Sequence, residues 1–393
     1  MGIYFNPKNR SFSKDRNYEI YVDKTGLLSF LNKAIDTPKN CIAVSHARRF
    51  GKSHAAGMID AYYSLGSDSS KLFEDTKIAS DPDYEKYRNK YNVIHLDISS
   101  FWDDYKVNLI EKIVEYIYDD ITDELGDTLD YKKKLSYVLM KIYEKTEIPF
   151  VIIIDEWDVL IRDEAANKKV QDDYIRFLRS MFKGIEPTKY IQLAYLTGIL
   201  PIKKERTQSA LNNFREYSML NAGPLASYIG FTENEVKNLC MEYGMDFEEA
   251  KAWYDGYGLI THKQDRDICY SMYSPKSVVE AMLRHKFGTY WNQTETYEAL
   301  KIYIQMDMDG LKDSVVRMLA GEAVPIHIGT FSNDMTTFAT KDDVLTLLVH
   351  LGYLTYNSID ETVSIPNKEV SKEYVNAIST MNWHGVADLP MYA

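Results

Sequence analysis

The stretch with the clearest chemical potential is CIAVSHARRFGKSHAAGM, residues 41–58. Its Gly51, Lys52 and Ser53 follow an apolar, strand-like run and open a helix-like one. A triphosphate can be bound there by backbone N–H groups at a helix N-terminus, by one lysine, and by one hydroxyl that reaches Mg²⁺. In the motif G-x-x-x-x-G-K-[ST] that describes such loops, however, His46 occupies the place of the first glycine. The sequence therefore predicts a phosphate-binding loop with one unusual position.

Two adjacent carboxylates end the apolar run VIIIDE, residues 151–156. Asp155 and Glu156 would stand at the carboxyl edge of a central strand, where open α/β sheets bind their ligands. We expect Asp155 to hold Mg²⁺ through water and Glu156 to orient or deprotonate an attacking water molecule. An acidic strand end that faces solvent is the alternative interpretation, and the phosphate loop upstream argues against it.

A third polar group, Thr197, ends the apolar run AYLT, where its hydroxyl could reach the γ-phosphate or the water. A threonine at a strand end is common, and a Gly-Lys-Ser tripeptide also occurs by chance at strand–helix turns. The order of the three signals along the chain is more specific than any one of them. Together they predict a nucleotide site.

The elements that must position these groups alternate between short apolar strands and helical patterns through about residue 220. This alternation indicates a parallel α/β sheet, and the run 150–156 is apolar enough to be a central strand. Apolar residues recur at helical spacing after the phosphate loop and again after residue 109, and these stripes are expected to face the core. The predicted strands are residues 41–45, 92–99, 150–156, 191–198 and 215–220.

From about residue 221 the pattern changes to short helical segments. Near the end, residues 341–367 read as a helix that stops at Gly352, followed by a hairpin, which is the ending of a winged-helix unit. Because this helix begins Lys-Asp-Asp, we expect it to pack against protein and not to read DNA.

The composition is that of an ordinary globular protein of 393 residues, with 46 basic and 58 acidic residues and a net charge of −12. This charge does not favour binding to nucleic acid or to an anionic membrane. No apolar run is long enough to cross a membrane, and the N-terminus lacks the apolar segment of a secretory signal. Three scattered cysteines and eight histidines without metal-ligand spacing indicate a cytoplasmic protein without a disulfide framework or a structural zinc site.

The motifs YVDKTGLLSFL, RRFGKS, VIIIDEWD, LTGIL, LNNFREYSML and WYDGYG resemble, in this order, those of the bacterial AAA-ATPase-like proteins. The resemblance extends from about residue 3 to about residue 380. In that family the phosphate loop usually reads Arg-Arg-Phe-Gly-Lys-Ser, without a glycine at the place of His46. It therefore implies that the nucleotide-binding residues are Arg49, Phe50, Gly51, Lys52 and Ser53.

The resemblance also implies a fold. Residues 1–220 would form a P-loop ATPase core of the additional-strand, catalytic-glutamate class. A helical lid would follow over 221–295, then a winged-helix-like α+β domain over 296–370 and a tail over 371–393.

Members of the family commonly continue into a PD-(D/E)XK nuclease domain. The triplets of this form at 235–237 and 249–251 lie in helical patterns, whereas a nuclease metal site would need a strand. We therefore expect no nuclease in this chain, which is either a fragment or a naturally short member.

Several weaker candidates keep two interpretations. Residues 23–25 (Asp-Lys-Thr) resemble a family motif that would pack near the nucleotide's base, or they begin a helix. Arg176 and Arg179 could supply a finger to a neighbouring subunit's nucleotide, or they belong to a solvated helix face. Either Arg48 or Arg49 could contact phosphate.

The sequence as a whole predicts a Mg²⁺-dependent ATP hydrolase in which Glu156, Lys52 and Thr197 act in catalysis and Ser53 and Asp155 hold the metal. ATP is favoured over GTP because no N-K-x-D tetrapeptide is present. Hydrolysis is expected to be coupled to a rearrangement of the lid and winged-helix segments, and a protein partner or a second copy could bind through the C-terminal domains. One alternative is a nucleotide-binding interaction or regulatory switch without appreciable turnover. Another is a kinase in which Asp97 would be the catalytic base.

Overall fold

A computed structural model of the protein describes residues 2–126, 133–163, 166–202, 211–262, 266–291, 296–306, 308–331 and 338–379. The chain divides into two compact units. Unit 1 comprises Met1–Ser45 and Lys52–Glu216, and unit 2 comprises His46–Gly51 and Tyr217–Ala393. The predicted domain boundaries, at 1–220, 221–295, 296–370 and 371–393, remain predictions. Among the residues described, no helix combines the length and the apolar composition needed to cross a lipid bilayer.

Unit 1 is built on a five-stranded sheet in the order β2-β3-β4-β1-β5. The β1–β4, β2–β3 and β3–β4 pairs are parallel, which confirms the predicted parallel α/β architecture. Parallel strands bring their carboxyl ends to one edge, so Asp155 of β3 and Thr197 of β4 end at the same side of the sheet. The strands are β1 (Cys41–Ser45), β2 (Asn92–Asp97), β3 (Phe150–Asp155), β4 (Ile191–Gly198) and β5 (Arg215–Ser218).

Eleven helices are described around this sheet in unit 1, in agreement with the predicted crossovers. They are α1 (Arg10–Arg16), α2 (Gly26–Asn32), α3 (Lys52–Tyr63), α4 (Ser70–Phe73), α5 (Tyr84–Tyr87), α6 (Ile98–Asp104), α7 (Leu109–Leu125), α8 (Leu135–Thr146), α9 (Val159–Arg162), α10 (Lys168–Phe182) and α11 (Pro187–Tyr190). A 3₁₀ turn, Lys77–Ser80, precedes α5.

The core of unit 1 follows from the apolar patterns. Every residue of β3 is buried, as a central strand covered on both faces requires. The predicted stripe of α7 is buried at Ile113, Ile117 and Ile121. In α3, ten of the twelve residues are buried, including Lys52 at its start. The helix that follows the phosphate loop is therefore held firmly against the sheet.

The larger segment of unit 2 follows Glu216, and its described part contains seven helices and the six short strands from β6 onward. The helices are α12 (Glu233–Tyr243), α13 (Phe247–Tyr254), α14 (Pro275–Arg284), α15 (Thr296–Ile304), α16 (Leu311–Leu319), α17 (Lys341–Leu351) and α18 (Lys368–Ser379). The strands are β6 (Phe231–Thr232), β7 (Tyr257–His262), β8 (Asp267–Tyr273), β9 (Val324–Pro325), β10 (Thr355–Asn357) and β11 (Thr362–Ser364).

The segment predicted as a helical lid contains α12, α13 and α14, and also an antiparallel sheet in the order β6-β8-β7 that the sequence did not predict. The triplets 235–237 and 249–251 lie in α12 and α13, as expected of helical patterns. Trp253, Tyr254 and Tyr257 are buried within this segment.

The C-terminal part has the predicted helix and hairpin. Thr340 caps α17 in a reciprocal pair with Asp343, and Gly352 ends the helix with φ 88°. The β10–β11 hairpin joins β9 in a three-stranded antiparallel sheet, which completes a winged-helix-like α+β arrangement. Part of the predicted tail forms α18, and residues 380–393 lie outside the described residues.

Candidate active site

The centre of the candidate site is the buried carboxylate of Asp155 at the end of β3. Its Oδ1 accepts a hydrogen bond from the hydroxyl of Thr197 and a second, at 3.0 Å, from the backbone N–H of Glu156. Thr197 is fully buried and Asp155 nearly so. The structure therefore brings two predicted residues into direct contact, and it assigns the Thr197 hydroxyl to the orientation of Asp155.

Lys52, the lysine of the predicted phosphate loop, is the first residue of α3 and is buried. Burial lowers its pKa, while the negative charges of Glu156, Asp155 and Asp158 act in the opposite direction. Lys52 thus lies within the electrostatic field of the acidic cluster at the end of β3. A buried ammonium group near carboxylates can donate hydrogen bonds to phosphate oxygens when Mg²⁺ offsets the negative charge of the carboxylates and phosphates.

Ser53, the predicted hydroxyl ligand, is exposed on the first turn of α3. Together with the Asp155 carboxylate it supplies the hard oxygen donors that Mg²⁺ prefers. Within the described residues no cluster of three or more His, Cys, Asp or Glu side chains could hold a metal. A nucleotide-bound Mg²⁺ does not need one, because phosphates and water complete its shell. The donor set fits a Mg²⁺ that arrives with ATP.

Glu156 has a left-handed backbone, with φ 53°. This conformation costs a residue other than glycine roughly 1 kcal/mol. The Glu156 carboxylate forms an ion pair with Arg162 of α9, at 2.5 Å between Oε2 and a terminal guanidinium nitrogen. The predicted water-activating carboxylate is therefore held by a cation that the sequence analysis did not single out.

Asp158 is a second residue that the sequence analysis did not single out. It is fully buried, and its Oδ2 accepts hydrogen bonds from the backbone N–H groups of Ile199 and Leu200, at 3.1 and 2.7 Å. The same oxygen accepts the Nε–H of Arg162 at 2.9 Å. Asp158 thus fixes Arg162 to the segment that follows β4. The second aspartate of the sequence D-E-W-D, followed four residues later by an arginine, is the local signal for this pair, although that spacing alone does not indicate burial.

The loop residues His46–Gly51 belong to unit 2, and Phe50 and Arg49 make contacts within it. The backbone carbonyl of Phe50 accepts the N–H of Gly230 at 2.9 Å, and its ring packs edge-on against Tyr257, with centroids 5.0 Å apart. Arg49 donates to the carbonyl of Tyr290 at 3.4 Å. The side chain of the predicted phosphate-loop residue Phe50 therefore packs within unit 2, and the nucleotide-binding role of the loop remains a prediction.

The unusual position of the loop, His46, is buried. The left-handed conformations of this loop occur at Arg49, with φ 67°, and at Gly51, with φ 86°. Only φ values of this kind favour glycine, so the backbone at position 46 has no need of one. The departure from the glycine-containing motif is compatible with the conformation of the loop.

Two further candidates, Asp97 and Thr25, make structural contacts. The Asp97 carboxylate caps α6 by accepting the N–H of Ser99 at 3.0 Å and the hydroxyl of Ser100 at 2.7 Å. The Thr25 hydroxyl accepts the N–H of Ile78 at 3.1 Å.

Arg176 and Arg179 are exposed on α10, and Arg176 pairs with Asp173 three residues before it. The exposure and the ion pair match the solvated-face interpretation, whereas Thr25 precedes α2 without capping it through its side chain.

Comparison with known proteins gives one match to a family model, described as "Predicted AAA-ATPase", over residues 10–207. A protein from Azotobacter chroococcum mcd 1, described as "Uncharacterized protein in vnfD 5'region", is 21% identical over 383 residues. That alignment covers 95% of this chain and 68% of the relative.

Similar solved structures include two archaeal proteins from Aeropyrum pernix. The ORC2 protein, solved as ADPNP–ADP complexes, is 10% identical with a TM-score of 0.40, over 96% of this chain and 98% of that one. The ORC1 protein, solved in complex with DNA, is 12% identical with a TM-score of 0.34, over 96% and 97%. These scores are too low to carry an argument about function.

The assignment rests on the family model and on the site itself. The match begins at α1 and ends after β4, so it includes Lys52, the Asp155–Glu156 pair and Thr197. It spans half of the chain, and the parallel sheet described above has the order of strands and helices that the motifs require. The chain belongs to the predicted AAA-ATPase family.

Proposed function

We propose that the protein binds Mg²⁺-ATP and hydrolyses it slowly. The observation that carries this proposal is the burial of Lys52 within the field of the carboxylates at and just after the end of β3, all inside one unit. Lys52 would bind the β- and γ-phosphates, and Asp155 and Ser53 would hold Mg²⁺. Glu156 would orient the attacking water. Mg²⁺ would neutralise charge on the phosphates, and the protein would hold the phosphates, the metal and the attacking water in place.

Each proposed role is consistent with the surroundings of the residue. Asp155 is held by Thr197, so its carboxylate has a fixed direction in which to meet a hydrated metal. Family membership supports the binding of ATP. We further propose that hydrolysis changes the arrangement of the lid and winged-helix segments of unit 2, and that these segments contact a protein partner or a second copy in the cytoplasm.

The experiment is a measurement of ATP binding and phosphate release with Mg²⁺ for the parent protein, Lys52→Ala and Glu156→Gln. We expect Lys52→Ala to lose binding, and Glu156→Gln to bind ATP but release phosphate at least about a hundredfold more slowly. Matched controls are Lys39→Ala and Glu186→Gln, two exposed side chains of unit 1 that should behave as the parent. A parent protein that binds no ATP would contradict the proposal.

A second function, a nucleotide-dependent switch with negligible turnover, is favoured by one observation. The carboxylate of Glu156 is bound by Arg162, and a carboxylate oxygen that already accepts a guanidinium donor is not available to orient a water molecule. In that case the parent would bind ATP without releasing phosphate, and Glu156→Gln would leave this behaviour unchanged. The kinase alternative gains no such support, because the Asp97 carboxylate is engaged in capping α6.

A further inference from the structure

We propose that Arg162 is a positioning residue that holds the Glu156 carboxylate before ATP binds. When ATP binds, a terminal guanidinium nitrogen of Arg162 moves from Glu156 to the γ-phosphate. The Glu156 carboxylate is then free to orient the attacking water molecule. The inference rests on the proposed function and deepens it. It gives this chain a means of distinguishing ATP from ADP that lies within unit 1. It begins from the contrast between the two carboxylates that share the Arg162 guanidinium.

The contact with Asp158 is the fixed one. The Asp158 side chain is 0% exposed, and two backbone N–H groups bind the same carboxylate oxygen that accepts the Arg162 Nε–H. Breaking this contact would leave a buried carboxylate short of its cationic partner, which is costly. Arg162 is therefore expected to keep its Nε bond to Asp158 during any rearrangement.

The contact with Glu156 is the exchangeable one. The Glu156 side chain is 26% exposed, so water can replace the guanidinium around its carboxylate. The terminal nitrogen of Arg162 can then leave Glu156 by side-chain rotation while Nε stays bound to Asp158. The donors of a guanidinium group lie on separate nitrogens, so one nitrogen can keep its partner while another exchanges, whereas the three donors of a lysine share one nitrogen.

The position of Arg162 makes the γ-phosphate a realistic new partner. The terminal nitrogen of Arg162 contacts the Glu156 carboxylate, which is the group proposed to orient the water that attacks the γ-phosphate, and its positive charge also acts on the pKa of Lys52. Lys52 is the residue proposed to bind the β- and γ-phosphates, and a terminal phosphate carries more negative charge than one carboxylate. ATP should therefore compete with Glu156 for the Arg162 nitrogen, whereas ADP lacks the group that would compete.

The test is to measure ATP and ADP dissociation constants with Mg²⁺ for the parent, Arg162→Lys, Glu156→Gln and the double variant. We expect Arg162→Lys to weaken ATP binding about tenfold and ADP binding less than about twofold. Lysine lacks the second guanidinium nitrogen, and only ATP has the γ-phosphate that this nitrogen would bind. Glu156→Gln should tighten ATP several-fold relative to ADP by releasing the guanidinium. That gain should disappear in the double variant. Arg176→Lys, on the exposed face of α10, is the matched control.

Parallel changes in ATP and ADP affinity in Arg162→Lys would overturn the inference, since a purely structural role affects both nucleotides alike. A gain in Glu156→Gln that persists in the double variant would also overturn it. If Arg162→Lys does not fold, as judged by circular dichroism, the absence of any ATP-selective gain in Glu156→Gln is decisive against it. A parent that binds no ATP removes the proposed function and this inference together. A parent that binds ATP, with nucleotide-independent effects of Arg162→Lys, removes the inference alone.

Discussion

The hydroxyl of Thr197, at the end of β4, donates a hydrogen bond to the carboxylate of Asp155, at the end of β3. Both side chains are buried, and 42 residues of chain separate them. This bond connects two neighbouring strands at the edge where the proposed metal would be held. Its loss should affect both stability and metal use.

Thr197→Val tests that bond with almost no change of shape. We expect the free energy of unfolding to fall by about 2 kcal/mol, since a buried charged acceptor loses its donor. The Mg²⁺ concentration required for half-maximal ATP binding should rise, because Asp155 is no longer held in one direction. Urea unfolding and a Mg²⁺ titration measure the two effects. Thr197→Ser keeps the hydroxyl and should stay near the parent; a valine variant that equals the serine variant would contradict the assignment.

Gly198→Ala should be destabilising although both residues are small. A Cβ at Gly198 would lie 2.7 Å from Oδ1 of Asp158 and 2.7 Å from Cδ1 of Trp157, which is closer than unbonded atoms can pack. We expect a loss of about 1–3 kcal/mol, measured by thermal or urea unfolding.

The matched control is Gly258→Ala in β7. There the nearest atom to a new Cβ would be the Cys269 sulfur, at an ordinary 3.7 Å. Equal stability losses in the two variants would show that the crowding around Gly198 is relieved without cost.

The pair of partly buried His95 and buried Asp60 makes stability depend on pH. Its Nδ1 and Oδ2 atoms are 2.6 Å apart. Burial lowers the pKa of His95, but the charge and hydrogen bond of Asp60 outweigh it and leave that pKa raised. Burial also raises the pKa of Asp60, against the pull of His95. Two raised pKa values mean that the folded protein binds more protons than the unfolded chain.

The resulting stability is fully present below the ordinary pKa of each group and is lost as the pH rises through the raised folded values. We therefore expect the free energy of unfolding to fall as the pH rises from about 6 through the raised pKa of His95. His95→Gln alone should cost about 3 kcal/mol, because Asp60 loses its cationic partner. The double variant with Asp60→Asn should recover part of this loss and flatten the pH dependence. A dependence that survives in the double variant would exclude this pair as its source.

Phe50→Ala should destabilise unit 2 by about 3–4 kcal/mol, because a fully buried ring is removed from its contact with Tyr257. ATP affinity should also fall, since Gly51 and Lys52 follow Phe50 directly in the chain. Phe50→Leu retains much of the buried volume and should lose less than half as much stability. Unfolding and ATP titration measure the two effects. An alanine variant of unchanged stability would contradict the packing role.

Much of unit 1 could be predicted because its signals are local. The run FVIIID contains only apolar residues before its carboxylate, so its full burial as β3 follows from hydrophobicity alone. The Gly-Lys-Ser tripeptide lies between an apolar strand and an apolar-faced helix, and Lys52 does begin α3. The placement of the carboxylate at a strand end and of Lys52 at a helix start could therefore be predicted from the sequence.

The contacts of Asp158 and Arg162 could not be predicted in the same way. The backbone donors to Asp158 lie 41 and 42 residues later, on the segment after β4, and only the folded sheet brings them together. The i, i+4 spacing of Asp158 and Arg162 is typical of many exposed helix pairs, which carry no function. Burial distinguishes this pair, and burial is a property of the tertiary structure.

The β7–β8 hairpin was missed for another physical reason. β8 alternates only weakly between buried and exposed residues, and β7 begins directly after α13 with Gly256 at φ 108°. Short helical patterns on either side dominate the segment. The pairing of Leu259 with Tyr270 across the hairpin is a non-local property that helical periodicity cannot reveal.

The assignment of His46–Gly51 to unit 2 limits how the chain can be shortened. A fragment that ends at Glu216 keeps these six residues but removes Gly230, Tyr257 and Tyr290, which contact them. The Phe50 ring would then meet water or another molecule, and such a fragment should be prone to self-association. Truncation after Glu216 therefore separates residues 46–51 from the rest of the unit to which they belong.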